Sequence, residues 1–432
     1  MNTWWLKILG NSGWLFFDRL FRQGGAILIG IAIARHLGPQ SFGELSFAIA
    51  FTVFFSAFAK LGLDTIVVRE IVLHPEKSSD ILSAAFALKL AGGGLAFVLA
   101  IATIHGMRPS DTDAQWFIAI MAAGIIFQAF DTADLWFQSQ VQAQLTAIAR
   151  GGAFVVLATL NISLILAQAP VMAFVATTAA EAVLCAIGFW IVFQRSTRQR
   201  RTHDPLTLRI KISTMMALLR ESRYLIFSGI AVALYLRLDQ VLLAEIEGNQ
   251  SVGLYSAAIR LSEMWYVIPT VVVASATPYL TALHAESPTL YYQKLQQLLQ
   301  ILAGIAYLIA IPMVLLSNPL VQLLYGAVYS EAGLILAIHI WTVLFVFQGV
   351  GISAVMVIEK RTSLLFIQTL VGVLCSVALN SVLIPMYGVL GAAIAIVVAQ
   401  GMANYGILPF WKETRKLFMI ETRALLFLRG KQ

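Results

Sequence analysis

The chain has 432 residues, 59% of them hydrophobic and 12% charged, against about 25% charged and about half apolar in soluble domains. An ordinary soluble fold is excluded, and at ~20 residues per crossing the apolar residues suffice for about twelve membrane spans. The net charge of +7 needs no nucleic-acid partner, because Lys and Arg collect in the cytoplasmic loops of polytopic proteins.

In chain order, apolar windows predict helices at 14–37, 41–62, 81–105, 115–137, 148–168 and 171–193, then at 223–245, 252–276, 296–317, 330–357, 363–384 and 388–410. The first window ends on an A-x-A-like Ala32-Ile33-Ala34. With Asp18, Arg19 and Arg22 beside the run it is read as a retained span and not as a signal peptide. Cys185 and Cys375 lie inside apolar windows, offer no disulfide framework or metal site, and read as small core residues.

The segment between the two sets of windows carries Arg195, Arg198, Arg200, Arg201, Arg209, Lys211, Arg220 and Arg223, and the tail carries Lys412, Arg415, Lys416, Arg423, Arg429 and Lys431. The connections at 246–251, 318–329 and 385–387 contain no Lys or Arg. This alternation predicts that both termini and the central segment are cytoplasmic. The expected organisation is a first bundle over 1–193, a basic cytoplasmic linker over 194–222, a second bundle over 223–410 and a basic cytoplasmic tail over 411–432.

A repeat supports that division. Gly38–Phe51 reads GPQSFGELSFAIAF and Gly248–Leu261, 210 positions later, reads GNQSVGLYSAAIRL; seven of the fourteen positions agree. With six spans between the copies, the halves share one membrane orientation. The predicted fold is an all-α polytopic membrane protein, its twelve helices arranged as two parallel six-helix bundles around a central cavity. Such an arrangement can expose its cavity alternately to the two sides, as transporters do.

Charges inside spans cost roughly 2.5–3.5 kcal/mol each at the bilayer centre and often mark function. Here they are Asp18, Arg19 and Arg22 in span 1, Lys89 in span 3 before Gly92–Gly94, Arg237 and Asp239 in span 7, and Arg260 and Glu263 in span 8. Arg35 lies near the outer end of span 1, where its side chain can snorkel. Arg237 and Asp239 are two residues apart and point to different faces, so at least one needs a partner elsewhere. Ser228, Tyr235 and Asp239 form one polar stripe, and Ser256, Arg260 and Glu263 another.

In span 4, Gln128, Asp131, Asp134 and Gln138 recur at intervals of three, three and four. Two readings of the acids stand: one carboxyl holds a proton and serves a proton-coupled switch, or both are ionised at the cytoplasmic rim. For the cations, an electropositive cavity for an anionic headgroup stands beside internal salt bridging. Pro269, Pro278 and Pro312 are placed to kink spans 8 and 9. Neither a metal-ligand cluster nor a P-loop or GxSxG motif is visible.

The strings LGPQSFGELSFAIAF and LGLDTIVVREI, followed in order by FDTADLWFQSQVQ, YLRLDQVLLAEI, VGLYSAAIRLSE and IPMYGVLGAAIAIVVAQ, resemble the bacterial polysaccharide transporters, notably the Wzx-type O-antigen flippases. The resemblance implies a twelve-helix, MATE-like member of the multidrug/oligosaccharidyl-lipid/polysaccharide (MOP) exporter superfamily. It also implies transfer of a polyprenyl-pyrophosphate-linked oligosaccharide across a bacterial inner membrane, without catalysis or cofactor. By position, Arg22, Lys89, Arg237, Arg260 and Arg35 are then candidates for the pyrophosphate and acidic sugars, and Asp131, Asp134, Asp239, Glu263 and Asp18 for coupling to H+ or Na+. Membrane lipids and polysaccharide polymerase machinery are the expected partners.

A drug or cation antiporter of the same superfamily is the nearest alternative, and would be expected to prefer an acidic cavity. A major-facilitator sugar transporter would be expected to carry a GxxxDRxGRR-like turn where this chain has LGLDTIVVREI. A membrane polymerase or glycosyltransferase would be expected to show a large outer loop or a juxtamembrane acidic motif. A scaffold would not need so many intramembrane charges.

Overall fold

The computed structural model describes the backbone of residues 3–200 and 211–428, and side chains within 21–195 and 211–428. Part of the central basic segment therefore lies outside the described residues, as do the side chains of Asp18 and Arg19. Every regular element among the described residues is helical. In hydrocarbon this follows from the backbone: with no water to satisfy N–H and C=O groups, a single spanning segment must bond to itself.

The helices are α1 (Thr3–Lys60), α2 (Asp64–Leu73), α3 (Ser78–Met107), α4 (Thr112–Phe127), α5 (Thr132–Ser139), α6 (Ala143–Leu166), α7 (Val171–Arg200) and α8 (Ile212–Ile246). They continue as α9 (Asn249–Glu263), α10 (Val267–Glu286), α11 (Pro288–Tyr325), α12 (Ala332–His339), α13 (Thr342–Ile358), α14 (Thr362–Gly401) and α15 (Arg415–Leu425). Among the described residues ten segments are long and apolar enough to cross a membrane, and the chain is a multi-pass membrane protein.

Two of those ten run over Phe21–Leu73 and Ser363–Phe410, 53 and 48 residues, each longer than two crossings need. The sequence windows split both, and the structure shows where. α1 turns at Gly38 (φ 72°, ψ 171°) and α14 at Gly388 (φ 56°, ψ −135°), backbone that side chains with a Cβ rarely adopt. Polar linker residues do not stop a helix outside the lipid: α7 continues to Arg200 and α8 begins at Ile212, beyond the predicted span ends at 193 and 223.

Three predicted spans are each two helices joined by a break. Gln128–Asp131 is a 3₁₀ turn between α4 and α5, and Met264–Tyr266 another between α9 and α10. Ile340 and Trp341 separate α12 from α13. The second has a covalent cause, since Pro269 has no N–H to offer the carbonyl of Trp265.

The chain divides into two compact units, Met1–Leu37 with Glu44–Ala233, and Gly38–Gly43 with Leu234–Gln432. In the first, Leu63, Ile66, Val67 and Ile71 pack with Ile81, Leu82, Ala85 and Leu88. In the second, Leu295, Leu299 and Leu302 of α11 meet Val343, Phe347 and Val355 of α13 and Leu417, Ile420 and Ala424 of α15.

The repeat has a structural counterpart within the second unit. Gly248, the residue before α9, has φ 88° and ψ 176°, nearly the conformation of Gly38. Two equivalent glycines then meet backbone to backbone: a Cβ on Gly43 would lie 2.6 Å from the Asn249 carbonyl carbon, and one on Gly253 2.8 Å from that of Pro39.

Candidate functional site

In the first unit the break between α4 and α5 lies among charged side chains. Lys89 on α3 is only 3% exposed, and its Nζ donates to Asp64 Oδ1 at 2.6 Å. Asp134 on α5, 2% exposed, accepts from Thr146 Oγ1 at 2.5 Å, Arg150 at 2.8 Å and Gln138 Nε2 at 3.0 Å. Three donors, one of them cationic, thus satisfy this carboxylate.

Asp131 is different. No hydrogen bond or ion pair from the described residues reaches its carboxyl; Arg150, Lys89, Asp134 and Asp64 act on it through their fields. The predicted stripe is thus not one helical face, because the 3₁₀ turn runs through it and winds at about three residues per turn instead of 3.6. A recess of about 380 Å³ opens beside Asp64, lined by Thr65, Val68, Arg69, Val72, Leu73 and Gln138.

Three charged groups here escaped the sequence reading. Arg150 stood at the edge of a window, Asp64 in a turn, and Glu181 inside span 6, where the rule that flagged the other intramembrane charges applies equally. Glu181 lies within electrostatic reach of Arg22 and Arg150. Arg22, Lys89, Asp131 and Asp134 thus belong to one neighbourhood of the first unit. Arg35 is exposed and stands apart from it.

In the second unit the two-residue spacing of Arg237 and Asp239 is resolved by separate partners. Arg237 pairs with Glu263 at 3.5 Å. Asp239 is buried and accepts from the hydroxyl of Tyr255 and, at 2.8 Å, from the backbone N–H of Gln240. Tyr255 meets His339 edge to face at 6.0 Å. Ser262 Oγ and His339 Nδ1 are hydrogen-bonded at 2.6 Å, and Tyr266 donates to Thr342 Oγ1 at 2.7 Å. These two hydrogen bonds join the α9–α10 break to the α12–α13 break. His339, Tyr255 and Thr342 were not singled out in the sequence, since a single polar residue in an apolar run carries no spacing signal.

Arg260 has no carboxylate within ion-pair distance among the described residues. Its guanidinium lies 4.9 Å from the Phe42 ring centroid, and the Phe42 and Tyr329 rings are 6.4 Å apart. The fields of Tyr325, Arg237, Glu263 and Tyr329 reach it as well. An aromatic face stabilises a cation without neutralising it.

Breaks in membrane helices beside buried charge are tolerated only where protein or a polar cavity receives the freed backbone and the charge. The chain belongs to the polysaccharide biosynthesis protein family, whose model matches residues 8–284. The capsular polysaccharide biosynthesis protein CapF of Staphylococcus aureus is 23% identical over 189 residues, 44% of this chain and 48% of CapF, so the match spans about half of that relative.

The fold is that of the MOP superfamily. The inward-facing conformation of a multidrug resistance MATE family transporter of that superfamily superposes with a TM-score of 0.73 at 15% identity, covering 95% of this chain and 99% of the other. The lipid II flippase MurJ in its inward closed conformation gives 0.71 at 14% identity, covering 97% and 91%.

Proposed function

We propose that this protein is a flippase for a polyprenyl-pyrophosphate-linked oligosaccharide, an O-antigen or exopolysaccharide repeat unit, and is a transporter rather than an enzyme. It works in a bacterial inner membrane by alternating access. In this reading the ten helical segments make twelve crossings, six per half, with both termini cytoplasmic. The observation that carries the reading is Arg260, a span cation held over the Phe42 ring with no carboxylate in ion-pair contact among the described residues. It suits an anionic cargo better than the cationic drugs of an antiporter.

In the first unit Lys89 is held by Asp64, and in the second Arg237 by Glu263; each is a pair that an anionic oxygen of the cargo would exchange for its own. Arg22 joins them, and Arg35 meets acidic sugars near the rim. Family membership and the fold shared with a lipid II flippase support the cargo class. For coupling, Asp131 is the stronger proton carrier, because Asp134 is committed to Arg150; Asp239, Glu263 and Asp18 remain candidates for H+ or Na+.

The test is depletion of the protein in its host, complemented with wild type, Arg260→Lys or Arg260→Ala. Lipid-linked oligosaccharide is expected to accumulate on the inner leaflet on depletion and with Arg260→Ala, and less with Arg260→Lys. No accumulation on depletion would overturn the reading in favour of the drug antiporter.

A further inference from the structure

The short helix α15 follows the last apolar segment, which ends at Phe410. Leu417, Ile420, Glu421 and Ala424 make its buried side. Its far end returns to α11: the Leu428 carbonyl accepts from Gln296 Nε2 at 2.9 Å and Gln300 Nε2 at 3.2 Å, and the Phe427 ring lies 6.3 Å from that of Tyr307. α15 thus follows the last apolar segment and is held against α11 at its far end.

Its other side is of mixed character. Lys412, Arg415 and Lys416 are exposed and Arg423 is half-buried. Among the described residues, none of these four cations is paired with a carboxylate. At the returning end Phe427 and Leu428 are 54% and 51% exposed, continuous with the apolar wall of α11, where Ile301 and Leu308 are 55% and 74% exposed. Lys416 Nζ lies 3.3 Å from the Tyr292 ring centroid and Arg415 Nε donates to the Pro409 carbonyl at 3.1 Å, contacts that leave both charges un-neutralised. Exposed apolar residues beside an apolar wall, with such cations on the helix and just before it, are the features of a helix lying in the membrane interface.

We propose that this face of α15 binds anionic phospholipid headgroups. Arg415, Lys416, Arg423 and Lys412 hold the lipid phosphates while Phe427 and Leu428 sit among the acyl chains. The inference rests on the multi-pass membrane character of the chain and not on the cargo. Each basic residue near an anionic surface is worth about a fivefold gain in binding, and the attraction weakens with salt.

The experiment is native mass spectrometry of the full-length protein from nanodiscs containing phosphatidylglycerol and phosphatidylcholine in equal amounts. Wild type is expected to retain phosphatidylglycerol at least tenfold over phosphatidylcholine. That preference should disappear in Lys412→Gln/Arg415→Gln/Lys416→Gln/Arg423→Gln and persist in Arg415→Lys/Arg423→Lys, which keeps the charge. If the fourfold variant fails to fold, preparing wild-type nanodiscs across a salt series gives the second reading, and the preference is expected to fall as salt rises. Equal retention of the two lipids by wild type, or an unchanged preference in a folded fourfold variant, would overturn the proposal.

Discussion

The contact between the two copies of the repeat allows a prediction whose sign, and not merely its size, is decided by the structure. In an ordinary helix, Gly→Ala is stabilising by about 0.5–1 kcal/mol, because Gly surrenders more backbone freedom. At Gly253 the added Cβ would sit 2.8 Å from the Pro39 carbonyl carbon and 3.1 Å from the Gly43 nitrogen, against the ~3.5 Å at which carbon atoms pack. The obstacle is backbone, so the start of α9 and the Gly38–Gly43 segment must separate by about 0.7 Å or more at overpacking costs of about 1–3 kcal/mol. Gly253→Ala should therefore destabilise by about 1–2 kcal/mol net in equilibrium unfolding in mixed micelles. Gly94→Ala, with nothing within 4 Å of its Cβ, should be neutral or stabilising. Gly43→Ala opens the same seam, so the double variant should cost clearly less than the two singles added. Stabilisation by Gly253→Ala, or strict additivity of the pair, would refute the close approach.

Asp134→Asn strands Arg150, a third of whose side chain is exposed, and is expected to cost about 2–3 kcal/mol of stability; Asp131→Asn should leave stability nearly unchanged while abolishing any response of vesicle transport to an imposed pH gradient. Glu421 is fully buried with neither carboxylate oxygen hydrogen-bonded, and burial raises its pKa well above the ordinary value of 4.5. The folded state thus binds this proton more tightly than the unfolded chain: the stabilisation is complete below about pH 4.5 and declines by up to about 1.4 kcal/mol per pH unit as pH rises toward the raised value. Glu421→Gln should remove that slope, measured as unfolding midpoints between pH 5 and 8. Ser262→Ala and Tyr266→Phe remove one each of the hydrogen bonds joining the two helix breaks, and a double-mutant cycle should give a coupling of about 0.5–3 kcal/mol if the breaks move together; zero coupling would show that they are independent.

The spans were legible because lipid imposes one demand on every residue it touches, and an apolar run of about twenty satisfies it visibly. Gly38 and Gly388 were legible as boundaries between windows, though the structure turns at them within continuous runs of helix. The Met264–Tyr266 break was half legible, since Pro269 was expected to disturb span 8 and does so one turn upstream. Pro278 and Pro312, expected to act similarly, lie inside continuous α10 and α11. The spacing of Arg237 and Asp239 predicted separate partners but could not name Glu263 and Tyr255, because contacts between helices leave no mark on either helix's period. The commitment of Asp134 to Thr146 and Arg150 was hidden for the same reason.

Two breaks that no glycine or proline announces share one chemical device. Thr132 Oγ1 donates to the carbonyl of Ala129 at 2.7 Å, and Thr342 Oγ1 to the carbonyl of His339, also at 2.7 Å. In each unit a threonine takes a carbonyl three residues back, an alternative that competes with the regular i to i−4 ladder. Beside each stands an acid or imidazole at the turn itself, Asp131 or His339. A buried polar group is costly unless satisfied; His339 finds its partner across the helices in Ser262. In each unit the break and the polar side chain beside it occupy the same turn, and a variant that restored a regular helix at residue 132 or 342 would be expected to displace Asp131 or His339 with it.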